Sequence, residues 1–124
     1  MAKRSSDNRG ETAISKAVRK YLDATAGVFG VRVQSGVARG GKQRLAKPGT
    51  ADWIGVIWGT PVAIEFKAEW GIQSDAQKEF AEKWRRCGGV YTIVREVQDA
   101  VRLVFEIRWR AGVDRIRHSG TIPL

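Results

Sequence analysis

At 124 residues with 43% apolar content, the chain has material for one hydrophobic core, since domains most often run to about 100–150 residues. No run approaches the roughly 18 apolar residues of a membrane helix, and the polar opening Met1–Arg9 lacks a signal-like apolar segment, so the expectation is a cytoplasmic protein without membrane association. One cysteine (Cys87) and one histidine (His118) exclude a disulfide scaffold and a structural zinc site, while 22 Lys and Arg against 13 Asp and Glu leave a formal charge of +9, which favours a polyanionic partner, nucleic acid first, over a merely soluble basic surface.

Residues 1–8 read as a flexible basic arm. A helical pattern begins near Glu11, with Ile14, Ala17, Val18, Tyr21 and Leu22 recurring up to about Ala24 and Lys16, Arg19 and Lys20 on the solvated side. Glu11 sits at the edge of the apolar stripe and suits two roles equally: a carboxylate facing the body of the fold, or a first-turn acid favoured by the helix dipole. Val28–Gln34 reads as a strand. In the loop that follows, Arg39, Lys42, Arg44 and Lys47 are interspersed with four glycines and no acid precedes Asp52. That composition suits a mobile basic loop tracking phosphates, with a plain solvated loop as the alternative.

Asp52–Trp58 and Pro61–Ala68 flank Gly59-Thr60 and read as an antiparallel hairpin. A second helix is expected from Asp75 to Cys87, burying Ala76, Phe80, Trp84 and Cys87 and stopped by Gly88-Gly89. Val90–Val94 reads as a strand and Val97–Arg110 as a helix burying Val97, Val101, Val104 and Phe105. The tail from Ala111 is expected to be weakly ordered or to cross to a partner. Cys87 reads as core rather than nucleophile, and His118 as an isolated surface residue. Trp53 and Trp84 suit core positions.

A two-residue Gly59-Thr60 loop pairs Trp58 with Pro61, setting Ile54 opposite Glu65 and Asp52 opposite Lys67. Asp52, Glu65 and Lys67 then emerge on one face at the open end of the hairpin. Asp52 and Glu65 become diagonal neighbours about 7–8 Å apart at the backbone, a gap that converging carboxylates can bridge around a hard divalent cation. A lysine beside them can stabilise charge or orient water. The other face carries Trp53, Ile57, Val62, Ile64 and Phe66 and reads as core. On spacing alone, an exposed cross-strand salt-bridge set accounts for the trio equally well.

These residues resemble a family. Pro-Gly-Thr-Ala-Asp (Pro48–Asp52), Ile-Glu-Phe-Lys (Ile64–Lys67) thirteen positions on, Gln73–Phe80 containing Gln77, and Gly88–Val94 together look like the VRR-NUC branch of the PD-(D/E)xK nucleases, over a span from Glu11 to about Ala100. The proline stands four positions before the acid, and Ala51 separates Thr50 from Asp52. The resemblance implies an α/β, restriction-endonuclease-like core: a mixed sheet flanked by helices in the order α-β-β-β-α-β-α, filling residues 9–110 as in small stand-alone phage and bacterial members. It further implies that Asp52 and Glu65 ligate Mg²⁺ or Mn²⁺ with the Phe66 backbone carbonyl, and that Lys67 positions or activates water. Glu11 then lies near the metal directly or through water, and Gln77 is the family's helix glutamine. Ser74-x-x-Gln77 is equally a capping box, and both roles stay open.

The expected function is a metal-dependent endodeoxyribonuclease, selective for branched DNA such as four-way (Holliday) junctions, of a kind used in DNA repair. The expected setting is the cytoplasm of a bacterium or a phage-infected cell, with no small-molecule cofactor besides the metal. By analogy it is a homodimer, with Val104, Ile107 and Trp109 available for a twofold contact. Trp70, in a Glu-Trp-Gly turn, suits stacking on a base or wedging into a junction. No base-reading helix is evident, which favours recognition of structure or backbone. The alternatives are a less selective nuclease on duplex ends, flaps or single strands, and a non-catalytic nucleic-acid-binding module.

Overall fold

The computed structural model describes residues 12–34 and 46–119, with side chains described as far as residue 113. Seven elements follow in chain order: α1 (Ala13–Asp23), β1 (Val28–Arg32), β2 (Trp53–Ile57), β3 (Thr60–Phe66), α2 (Asp75–Arg86), β4 (Val90–Val94) and α3 (Val97–Ser119). The strands form one sheet in the order β1-β2-β3-β4. The first two pairings are antiparallel and β3–β4 is parallel, a pairing that needs a crossover connection, which α2 supplies. The expected α/β class and element order are therefore present. Among the described residues, no helix is long and apolar enough to cross a membrane.

Alternation along the strands divides the core in two. On one face Trp53, Ile57, Val62, Ile64 and Val94 pack with Val18 and Leu22 of α1 and Ala100, Val104 and Ile107 of α3. On the other, Ala51, Ala63 and Tyr91 meet Ala81 of α2, with Phe80 and Trp84 packed alongside. Each helix is started or stopped by local chemistry. The Thr12 hydroxyl accepts from Ser15 N at 3.1 Å to cap α1. At the end of α2, Gly89 N donates to Trp84 O and Gly88 N to Arg85 O, the two bonds of a Schellman motif.

The hairpin turn differs from the expected one. Ile57 pairs with Thr60 and Trp53 with Ile64, so the two-residue loop is Trp58-Gly59. Both loop residues have positive φ, 46° and 83°, as a type I′ turn requires. A tryptophan is an unusual occupant there, and tertiary contacts hold it. Its N–H donates to Gly27 O at 2.7 Å, and the Arg108 guanidinium lies 5.0 Å from its ring centroid. The register is displaced by two residues, which preserves the faces because side chains alternate with period two. The partners change: continuing the observed register by one pair sets Asp52 against Glu65, not against Lys67.

Three burial expectations also change. Cys87 is exposed, because α2 ends at Arg86 and Cys87 is its C-cap, beyond the stripe that faces the sheet. Phe105 is 67% exposed, because α3 meets the sheet through Ala100, Val104 and Ile107. Val104 and Ile107 are thereby core residues, not surface for a second copy. The helix also runs on through the expected tail to Ser119.

The largest fully buried side chain is Trp53. Its indole N–H has no hydrogen-bond partner among the described residues, so the ring is held there by packing. It lies across the cross-strand pair Gly30 and Gly55, where an added Cβ would come within 2.1 Å and 2.5 Å of ring atoms. Gly30→Ala should therefore destabilise the protein by about 1–3 kcal/mol or more. A urea denaturation midpoint unchanged from the parent would disprove this account of the core.

Candidate active site

The site lies on the α2 side of the sheet, where β3 ends. Glu65 is 3% exposed, so it does not belong to a solvated salt-bridge set. Its Oε2 accepts from Gln77 Nε2 at 2.8 Å and lies 3.7 Å from Lys67 Nζ. Its Oε1 is buried without a hydrogen-bond partner among the described residues. Asp52, half-buried across the hairpin, accepts from Phe66 N through Oδ2 at 2.9 Å. The N–H and C=O of one strand residue point to the same edge, so the Phe66 carbonyl is directed toward the Asp52 side as well.

Gln77 completes the capping box that its spacing allowed, and its side chain also bonds Glu65. Its Oε1 accepts from Ser74 N at 2.9 Å and its N–H donates to Ser74 Oγ at 3.2 Å, completing a capping box. The amide Nε2, turned the other way, holds Glu65. The first turn of α2 is brought to this point by Gly49, whose φ is +83° and where a Cβ would fall 2.3 Å from Ala76 O. Any other residue would push the Pro48–Asp52 segment away from the helix, so the glycine of that motif has a steric reason.

Of the remaining expected residues, Lys47 is exposed and turns the chain into Pro48-Gly49 through Thr50 N and Oγ1, which both donate to its carbonyl. Trp70 is 86% exposed. Glu11, Arg39, Lys42 and Arg44 lie outside the described residues. Three contributors carry no local sequence signal because their partners are remote: Gln73, which donates to the Tyr91 hydroxyl at 3.2 Å; Tyr91 itself; and Arg95, which donates to the carbonyls of Ala68 and Glu69.

Burial, and next the charge of Asp52, push the Glu65 pKa from its ordinary 4.5 up to about 8, with Lys67 opposing. Among the described residues, no group of three or more His, Cys, Asp and Glu is gathered. A magnesium-type site does not need one, since one or two carboxylates, water and substrate phosphate oxygens complete it. The unpartnered Glu65 Oε1 and the facing Asp52 fit that donor set. No family model matches the chain, and neither a curated protein nor a solved structure matches it significantly.

Between about pH 4.5 and 8 the folded, metal-free protein keeps a proton on Glu65 that the unfolded chain has released. Its contribution is therefore fully present below pH 4.5 and is lost as pH rises toward 8. Glu65→Gln removes this dependence and should be more stable than the parent at pH 8.5 in EDTA, with the difference vanishing near pH 4. Parallel stability–pH curves for the two proteins would refute it.

Proposed function

We propose that this chain is a divalent-metal-dependent endonuclease that hydrolyses phosphodiester bonds in DNA, with a preference for branched structures such as four-way junctions. The observation that carries the reading is the buried Glu65 carboxylate, bonded through one oxygen only and set against Asp52. Two acids at such close quarters out of water do not readily ionise together, so Glu65 keeps its proton in the metal-free protein, and a hard cation taking oxygen ligands would let both carry charge and would satisfy Oε1. Asp52, Glu65 and the Phe66 carbonyl are the residues that would hold Mg²⁺ or Mn²⁺. When bound, the metal supplies Lewis acidity toward a phosphate oxygen and a water of lowered pKa.

The chain's own groups supply the rest. Lys67 brings a positive charge beside Glu65 Oε2, where it can orient the attacking water and offset the extra negative charge of the pentacoordinate transition state. Gln77 fixes the Glu65 carboxylate and leaves its other oxygen unencumbered. Glu11, by family resemblance, joins from the segment ahead of α1. The net charge of +9 supports a polyanionic substrate. A homodimer would offer two such sites to a symmetrical junction. With Val104 and Ile107 in the core, Phe105 and Trp109, 67% and 68% exposed one turn apart on α3, are the apolar residues available to its twofold contact.

The test is cleavage of end-labelled four-way junction and matched linear duplex with Mg²⁺, Mn²⁺ or EDTA. We expect metal-dependent cutting that favours the junction, reduced at least about 100-fold in Glu65→Ala, Asp52→Asn and Lys67→Met. Gln77→Ala should lower the rate, whereas Ser74→Ala should cost about 1 kcal/mol of stability and leave cutting near the parent's. Tight DNA binding without cutting under any metal condition would replace the nuclease with a binding module, and equal cutting of flaps, ends and single strands would remove the branch preference.

A further inference from the structure

Between Lys67 and α2 the chain makes a short turn whose two large apolar side chains both point away from the protein: Trp70 is 86% exposed and Ile72 is 82% exposed. The turn is firmly held. Gly71 N donates to Ala68 O at 3.0 Å, and Arg95, just after β4, donates from Nη1 to the carbonyls of both Ala68 and Glu69. Arg95 is itself fixed where α3 begins, its N–H donating to Asp99 Oδ2 at 2.9 Å. The far end is tied by Gln73 to the Tyr91 hydroxyl and by Ser74 N to Gln77 Oε1. The turn also passes beside the site: a Cβ built at Gly71 would lie 3.4 Å from Lys67 Cδ.

We infer that Trp70 and Ile72 form a preordered wedge that engages an unstacked base beside the phosphate to be cut, and that Arg95 is the residue that positions it. The inference rests on the reading that this site acts on nucleic acid, and it names the feature of the substrate that is recognised. An indole offers a flat face on which any base can stack, with little rotamer freedom to lose. A β-branched aliphatic neighbour is the type of side chain that enters between base steps. Because the backbone is already pinned, binding does not have to order the turn. The charge of the chain, +9, complements a polyanion, and the closeness of Gly71 to Lys67 puts the wedge near the group proposed to face the phosphate. A continuous duplex presents no base face without the expense of unstacking, whereas a branch point presents one readily. The wedge thus explains a preference for branched DNA without any base-specific contact.

The experiment measures binding of the full-length chain by fluorescence anisotropy in EDTA, at one salt concentration, to a four-way junction and to linear duplex of the same sequence. The parent should prefer the junction. Trp70→Ala with Ile72→Ser should weaken junction binding about tenfold and leave duplex binding and the thermal midpoint unchanged, since both side chains stand in solvent. Trp70→Phe should retain most of the preference. Arg95→Gln should lower it without changing duplex binding, and Arg95→Lys, which keeps a donor to the turn, should restore part of it. Equal parental affinity for the two DNAs, or equal losses on both in the double variant, overturns the wedge. So does an unchanged junction preference accompanied by loss of binding to phosphatidylserine vesicles, which would make the turn a lipid contact. Binding in EDTA needs none of the carboxylate chemistry. A Trp70-dependent junction preference in a protein that never cuts would uphold the wedge and reject the nuclease, and metal-dependent cutting with a preference indifferent to Trp70 would do the reverse.

Discussion

Glu65 is removed from water in a basic protein, faces a second acid, and among the described residues has a hydrogen-bond partner at only one of its two oxygens. Desolvation and like charge both oppose its ionisation, so a hydrophobic residue of similar volume would serve the core better. The surroundings are arranged around keeping it. Lys67 supplies partial neutralisation from the same strand face, and Gln77 a donor from the next helix. Neither closes off Oε1. A buried carboxyl left incomplete beside a second acid is the kind of local conflict that proteins retain for use rather than for stability.

The placement of these groups traces back to features far from them. The Trp58-Gly59 turn sets the register that puts Asp52 against Glu65, and that turn depends on Gly27 and on Arg108 of α3. The approach of Pro48–Asp52 to α2 depends on the absence of a side chain at Gly49. The capping box at Ser74 orients the Gln77 amide so that one end stabilises the helix and the other holds the acid. A helix cap is normally a local device. In this chain it is also the joint between α2 and the carboxylate, so the angle at which the helix leaves its turn fixes the carboxylate's rotamer.

The elements were legible from sequence because each depends on a local period. Val18 and Leu22 recur at helical spacing, and Trp53, Ile57, Val62 and Ile64 share a sheet face whichever hairpin register is chosen, provided it shifts by two. For the same reason Asp52, Glu65 and Lys67 could be assigned to one face while their partners were misjudged. The turn was not legible, because a positive φ at a tryptophan is stabilised only by contacts with distant residues. Bulk misled at Phe105, where the inward stripe of α3 is carried by Ala100, Val104 and Ile107. Spacing misled at Cys87, one residue past the end of its helix. Gln73, Tyr91 and Arg95 join the site through hydrogen bonds that span 18 to 27 residues, and no window of sequence contains both partners.

Charge is distributed in a way that separates attraction from selection. The whole chain is strongly positive, which raises the encounter rate with any nucleic acid but discriminates weakly among its forms. The site itself holds two acids, which would repel a phosphate, so the proposed function needs positive charge supplied locally, by Lys67 and by a cation that Asp52 and Glu65 would hold. Neither of these distinguishes a junction from a duplex. Under the proposed function, discrimination would come from a neighbouring feature that is neither charged nor buried, the pinned Trp70–Ile72 turn. Because Gly71 lies close to Lys67, the proposed function would constrain a base on the indole and a phosphate beside the lysine together, and a nucleic acid unable to present both at once would be bound by charge without being aligned for attack.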